Sequence, residues 1–186
     1  GKAIHILSKG SNSNKTDSVS KTIENIRSQN NAPGVYLGTI SNNTSNPYSP
    51  DFQYGDSNNE FNTNKSAILL IYMDTYSSPS WLNKPIIVSN IPIEKWFNVC
   101  IIAKQSTLYV YINGKLKTFH QYNNVLKQNY DPININLDRV PYGEISSVKY
   151  YNRAINTYEL NSLLAGGANL EAGASNNWPN QFPKYL

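Results

Sequence analysis

Residues 96–120 read WFNVCIIAKQSTLYVYINGKLKTFH, and they contain three successive runs of strand-forming residues. Asn113-Gly114 separates the second run, 107–112, from the third. Both central residues of a type I′ turn need a positive φ, and Asn-Gly is the pair that tolerates this best, so the dipeptide predicts a β-hairpin. The first run, 97–103, precedes the hairpin after a short polar turn. We therefore expect an antiparallel meander at the middle of a sheet that is covered on both faces.

The composition favours strands joined by polar loops. Charged residues make up only 15% of the 186-residue chain, so its polarity comes from Asn, Ser and Thr, which favour turns over helices. The net charge of +4 includes no dense run of Lys or Arg, so we expect no nucleic-acid partner. The single cysteine, Cys100, excludes an internal disulfide and is expected to be a small buried residue. Without a stretch of about 20 apolar residues, contact with a membrane would need a segment outside this chain.

Other apolar runs predict further strands, and AILLIYM at 67–73 is apolar on both faces, which predicts a buried strand. A short amphipathic helix and an ordered loop are equally compatible with residues 17–26. The remaining predicted strands are 3–7, 35–40, 85–88, 133–137 and 144–151.

One helix near the C-terminus has clear start and stop signals. Asn156 is a good N-cap, and Glu159 stands three residues later as the partner in a capping box. Ile155 and Leu160 form a hydrophobic staple, and Gly166-Gly167 predicts the end of the helix.

The order of these parts resembles the concanavalin A-like lectin/glucanase superfamily, specifically its laminin-G-like jelly-roll domains. Trp96 matches the tryptophan that opens the strand before the hairpin, Asn113-Gly114 matches the hairpin turn, and residues 144–164 match the closing strand and helix. The resemblance implies an all-β, two-sheet antiparallel jelly-roll sandwich with one short C-terminal helix over residues 1–167, followed by a tail at 168–186. We expect Trp96 to be a core residue rather than part of a binding site. The family's first strand has no counterpart, so we expect it to lie upstream of residue 1.

The variant most similar to this chain is rich in Asn, Lys and Ile, contains Ile-Pro-Ile-Glu-Lys-Trp as at 91–96, and is common among proteins of large DNA viruses. This resemblance implies a minor capsid or surface protein of the virion. Its partners would be other virion or capsid proteins, or further copies of itself. Outside a virion, the expected location is extracellular or on the cell surface.

A glycoside hydrolase is disfavoured. Glucanases of this superfamily alternate carboxylates along one strand, because the glycosidic bond is cleaved between two carboxyl groups. The matching strand contains only Glu144, and the two histidines, His5 and His120, are far apart in the sequence. We therefore expect no catalytic residues and no enzymatic activity.

A glycan-binding site needs an aromatic face for the sugar and amide or carboxylate groups for its hydroxyls. The candidates are aromatic residues in Asn-rich loops: Trp81, Tyr76, Tyr48 and Tyr54. A cover over the ends of the sheets is the commoner explanation for such residues.

Calcium is the only metal that the resemblance suggests, and the weak candidate ligands are the loop carboxylates of Asp51, Asp56 and Asp74. They form no spaced cluster, and a solvated loop acid is the commoner explanation for each. We therefore expect no metal and no cofactor.

These observations favour a non-catalytic structural or interaction module over the alternative of a carbohydrate-binding adhesion module. A lectin needs exposed aromatic residues that converge in a concavity. An assembly module needs a broad apolar or Tyr-rich patch.

Overall fold

The computed structural model describes residues 4–10, 31–41, 65–76, 84–135 and 144–168. Eight strands and one helix lie in these ranges, and the strands form two antiparallel sheets, so the expected all-β class with one short helix is confirmed. The elements are β1 (Ile4–Lys9), β2 (Gly34–Ser41), β3 (Lys65–Tyr72), β4 (Ile86–Val88), β5 (Val99–Lys104), β6 (Thr107–Ile112), β7 (Lys115–Gln121), β8 (Ile133–Ile135) and α1 (Thr157–Ala165).

The chain divides into two compact units, which are described separately. The first contains β1 to β4 and β8, in the order β4-β3-β2-β1-β8. The side chains of β3 from Ile68 to Ile71 are completely buried. Both faces of this strand are therefore covered, as its continuous apolar run predicted.

The core of the first unit combines aliphatic and aromatic side chains. Tyr36, Ile68, Leu70 and Tyr72 form one buried cluster, and Ile87 packs against it. The rings of Tyr36 and Tyr72 meet edge to face, with centroids 5.7 Å apart. This arrangement suits the quadrupoles of aromatic rings better than a face-to-face sandwich.

The second unit contains the meander as a sheet of its own, in the order β5-β6-β7. The hairpin is confirmed, since φ is 49° at Asn113 and 76° at Gly114. The expectation that the meander is covered on both faces is wrong for β7. Among the described residues it has three strands, and β7 is exposed along almost its whole length.

Two further expectations for the second unit need correction. Residues 144–151 form no strand, because Ser147 has a φ of 54° and breaks the two-residue alternation that a ladder requires. Trp96 is half-buried rather than in the core. The segments 17–26 and 169–186 lie outside the described residues.

The predicted helix cap is confirmed in detail. Glu159 N donates to Asn156 Oδ1 at 2.9 Å, and Asn156 N donates to Glu159 Oε2 at 2.8 Å, which completes the capping box. Leu160 is the buried residue of α1, and Gly167 follows the helix with a φ of 64°. No helix in the described ranges has the length and apolar character to cross a membrane.

Candidate interaction surface

The hairpin turn is attached to the residue that precedes β5. Asn113 N donates to Asn98 O at 3.0 Å, and Asn98 N donates to Asn113 Oδ1 at 2.8 Å. The turn is therefore tied to the first strand of the sheet as well as to β6 and β7. This pair of hydrogen bonds fixes the end of the three-stranded sheet.

The strand register determines which side chains share a face. Tyr109 lies opposite Ile102 of β5 and Phe119 of β7, and residues directly opposite each other in an antiparallel pair project to the same side. Two residues further along β6, Tyr111 lies opposite Leu116 of β7, because the register shifts between Val110 and Tyr111. Successive side chains of a strand point to opposite faces of the sheet, so Leu108 and Val110 of β6 project to the other face. Both of these residues are fully buried.

The face that contains Tyr109 is open to solvent towards β7. Phe119 is 60% exposed and Leu116 is 50% exposed. The rings of Tyr109 and Phe119 are stacked, with centroids 6.1 Å apart and an angle of 30° between their planes. Their contact leaves the outer side of the Phe119 ring in water. We call this face, with Ile102, Tyr109, Tyr111, Leu116 and Phe119, the aromatic face.

The charged residues of this sheet are all positive. Lys104, Lys115 and Lys117 lie on its strands and are exposed, whereas residues 99–121 contain no Asp or Glu. The sheet therefore presents an apolar surface with a positively charged border. Complementary charge on a partner would speed association and disfavour positively charged competitors.

The same unit exposes further tyrosines outside the sheet. Tyr150 and Tyr151 end the segment 144–151 that was expected to be a strand, and Tyr158 is in the first turn of α1. Their exposed fractions are 57%, 40% and 84%, respectively. The second unit is thus rich in exposed aromatic side chains, which the sequence pattern for a buried closing strand did not predict.

Of the four aromatic residues predicted to bind a glycan, Tyr76 is described and is 67% exposed. Its N–H donates to Val125 O at 3.2 Å, next to a bridge between Thr75 and Leu126. Trp81, Tyr48 and Tyr54 lie outside the described residues, so their convergence with Tyr76 stays a prediction.

Asp74, predicted as a weak calcium ligand on a loop, is instead buried, with 2% of its surface exposed. Its carboxylate accepts a hydrogen bond from Asn31 N at 2.7 Å. Asp51 and Asp56 lie outside the described residues. Within the described ranges, no three His, Cys, Asp or Glu residues are grouped so that they could hold a metal ion.

Asp74 belongs to a buried polar network that joins the start of β2 to the end of β3. Asp74 N donates to Asn31 O at 2.8 Å, and Tyr36 Oη donates to Asn31 Oδ1 at 3.2 Å. A Cβ at Gly34 would overlap Asn31 Oδ1, so this position needs glycine. Tyr122 titrates beside this network: burial, and then the charge of Asp74, raise its pKa to about 12.

A second buried pair in the first unit combines a base with a hydroxyl. His5 Nε2 lies 3.0 Å from Ser8 Oγ, and the His5 ring meets Tyr36 edge to face at 5.3 Å. Both His5 and Ser8 are buried, so a substrate has no access to them in this conformation. We therefore assign the pair to packing of β1. The burial of His5 was not predicted, because the alternation of IHILSK alone does not say which face is inside.

Comparison of the chain with family models, with curated proteins and with solved structures gives no match.

Proposed function

We propose that this chain is a non-catalytic interaction module that binds another protein through the aromatic face of its second sheet. The observation that supports this most is the exposure of Leu116 and Phe119 beside Tyr109, on a sheet that carries lysines and no carboxylate. Aromatic residues are enriched in protein–protein interfaces, and an exposed apolar patch with a polar border is typical of such sites.

The free energy available from covering this face is appreciable. Burial of a large apolar side chain contributes about 1.5–3 kcal/mol relative to full exposure, and Leu116 and Phe119 each still have at least half of their surface exposed. Two such residues next to the partly exposed Tyr109 can act as a small hot spot.

The setting that we propose is a virion of a large DNA virus, with other virion or capsid proteins, or further copies of this chain, as partners. The support for this step is the resemblance of residues 84–167 to laminin-G-like jelly-roll domains of the viral variant. A Tyr-rich exposed surface also fits an assembly role better than a role that needs one deep pocket. The jelly-roll connectivity and the packing of the two sheets into a sandwich belong to the same proposal.

The proposal is tested by photo-crosslinking with p-benzoylphenylalanine at position 119 in the native particle or in producing cells. The matched control has the same group at position 130, since Tyr130 of the first unit is fully exposed. We expect a discrete protein adduct from position 119 that is lost when Leu116→Ser is added, and none from position 130. Equal adducts from both positions, or none from 119, would contradict an interface on the aromatic face.

The alternative function, a carbohydrate-binding adhesion module, is favoured by the strong exposure of Tyr76 on a turn that hydrogen bonds hold in place. A glycan array with calcium present or chelated tests it, with Tyr76→Ala and Trp81→Ala as variants. Saturable binding that both variants lose would identify a lectin site. An empty array, with the β-rich fold confirmed by circular dichroism, would leave the protein-binding module as the better account.

A further inference from the structure

β7 is an edge strand with an unusual combination of side chains. It pairs with β6 on one side, and no second strand lies beside it among the described residues. Six of its seven residues are exposed, and the remaining one is half-buried. Alternate peptide groups along an edge strand point away from the sheet and can pair with another chain. β7 is therefore an open template for one more strand.

The charge of β7 opposes pairing with a second copy of itself. Two antiparallel copies paired about Leu116 would place Lys115 of one copy opposite Lys117 of the other, and like charges directly opposite are destabilising. No carboxylate on β5 to β7 could compensate.

The apolar residues of β7 are not explained if this edge is only protected against pairing with other chains. Charged side chains can protect an edge strand, whereas Leu116 and Phe119 increase the apolar area in water on this same strand. Their exposure indicates a partner that covers them. The exposed lysines Lys115 and Lys117 favour a partner that is negatively charged.

We propose that β7 is the docking edge for an extended acidic segment of a partner protein, which adds a fourth strand to the sheet. This inference rests on the proposed protein-binding function and names the partner's chemistry. Main-chain hydrogen bonds along β7 supply affinity, and side chains at alternate positions supply selectivity. The partner's apolar residues cover Leu116 and Phe119, while its carboxylates face Lys115 and Lys117.

The first test is a selection of random dodecapeptides displayed on phage against the purified chain. We expect enriched peptides that are acidic, contain alternating apolar residues and bind the chain in solution by fluorescence anisotropy. Binding should fall at least tenfold in the Lys115→Glu/Lys117→Glu variant. The Lys95→Glu/Lys149→Glu control changes the net charge equally at exposed positions outside the sheet and should retain affinity.

N-methylation of the best peptide separates strand addition from other modes of binding. In an added strand only alternate N–H groups face the neighbouring strand. Methylation at one set of alternate residues should therefore abolish binding, while methylation at the other set should leave it nearly unchanged. Equal effects of both sets, or enriched peptides without acidic residues, or no enrichment, would overturn the proposal.

Two other occupants of β7 have their own readouts. Sedimentation equilibrium that finds a dimer abolished by Leu116→Pro would assign the edge to a second copy and overturn the proposal. Binding of oligo(dT) that the two-lysine variant loses, without peptide binding, would assign it to nucleic acid with the same consequence. If position 119 gives an adduct but the peptide selection fails, strand addition is refuted and the proposed protein-binding function still stands. If position 119 gives no adduct and the peptide selection fails as well, strand addition and the protein-binding function are both refuted.

Discussion

Asn113 exchanges two hydrogen bonds with Asn98: its N–H donates to Asn98 O at 3.0 Å, and its Oδ1 accepts from Asn98 N at 2.8 Å. Asn113 also has a φ of 49°, in the left-handed region that Asn tolerates better than most residues. One residue thus serves two purposes: it forms the hairpin turn, and it holds the start of β5 beside that turn.

Asn113→Gly separates these two purposes. Glycine accepts the positive φ, but the side-chain acceptor for Asn98 N is lost, so we expect a decrease of about 1 kcal/mol in the free energy of unfolding by urea denaturation. Asn113→Asp keeps an oxygen at the same place and should lose less than half as much. An equally large loss in both variants would show that the hydrogen bond to Asn98 is not the cause.

Gly114→Ala should destabilise the protein for two reasons. Gly114 has a φ of 76°, and a Cβ there would overlap Leu164 Cδ1 of α1. We expect a loss of about 1–2 kcal/mol in urea denaturation, because an L-residue pays about that much in the left-handed region. The matched control is Gly166→Ala: Gly166 has a helical φ of −72°, and a Cβ there would meet Leu163 O at an ordinary contact distance of 3.5 Å. It should be neutral or slightly stabilising. A neutral Gly114→Ala would show that α1 and the turn adjust freely.

The ionised Glu159 carboxylate of the capping box should make the free energy of unfolding decrease at acidic pH. Arg153 and the backbone N–H of Asn156 hydrogen-bond the Glu159 carboxylate and lower its pKa from 4.5 to about 2. A carboxyl group with a lowered folded-state pKa stabilises the fold above its unfolded pKa, and this contribution is lost as the pH falls towards 2. We expect Glu159→Gln to lower Tm at pH 7, and this difference in Tm to shrink as the pH falls from 4.5 towards 2. A difference as large at pH 2 as at pH 7 would mean that the carboxylate charge is not responsible.

The hairpin turn, the helix cap and the buried strand could be predicted from the sequence, because a few neighbouring residues determine each of them. Asn113-Gly114 has few conformational options, and the Asn156–Glu159 spacing defines a capping box, so both appear at the predicted residues. The strand at 67–73 was predictable because a run apolar at every position can be stable only when both its faces are covered. These signals depend on a few neighbouring residues.

The errors arose where the outcome depends on distant parts of the chain. GEISSVKYY has strand-like alternation, but its pairing depends on a partner strand elsewhere, and the positive φ of Ser147 interrupts it. Exposure of Phe119 could not be predicted from KLKTFHQ, because alternation assigns residues to two faces without saying which face is covered. For the same reason Asp74 resembled a loop carboxylate in the sequence, although its neighbours in space make it a buried acceptor.

Removal of the Asp74 carboxylate should be costly. In Asp74→Ala, the N–H of Asn31 loses its buried acceptor, and a buried donor left unsatisfied costs about 1–3 kcal/mol. Asp74→Asn keeps one oxygen that can accept from Asn31 N, so it should lose less. Urea denaturation of the two variants measures the difference. If Asp74→Asn is as destabilised as Asp74→Ala, the negative charge and not the hydrogen bond is what the site requires.

Tyr122 should make the protein sensitive to alkali. Its pKa is raised from 10.0 to about 12 by burial and, to a smaller extent, by the charge of Asp74. Above pH 10 the unfolded chain releases the phenol proton while the folded chain retains it, so the free energy of unfolding falls between pH 10 and pH 12.

The measurement is urea denaturation at pH 9, 10 and 11, in which the loss of stability with rising pH should be smaller in Tyr122→Phe than in the unaltered chain. The comparison with Tyr122→Phe removes the contribution of every other group, because both proteins share them. Asp74→Asn should reduce this difference only slightly, since burial is the larger cause. If Tyr122→Phe loses stability as steeply as the unaltered chain, Tyr122 ionises near its ordinary pKa and is accessible to water. If Asp74→Asn removes the whole difference, the charge of Asp74 rather than burial keeps Tyr122 protonated.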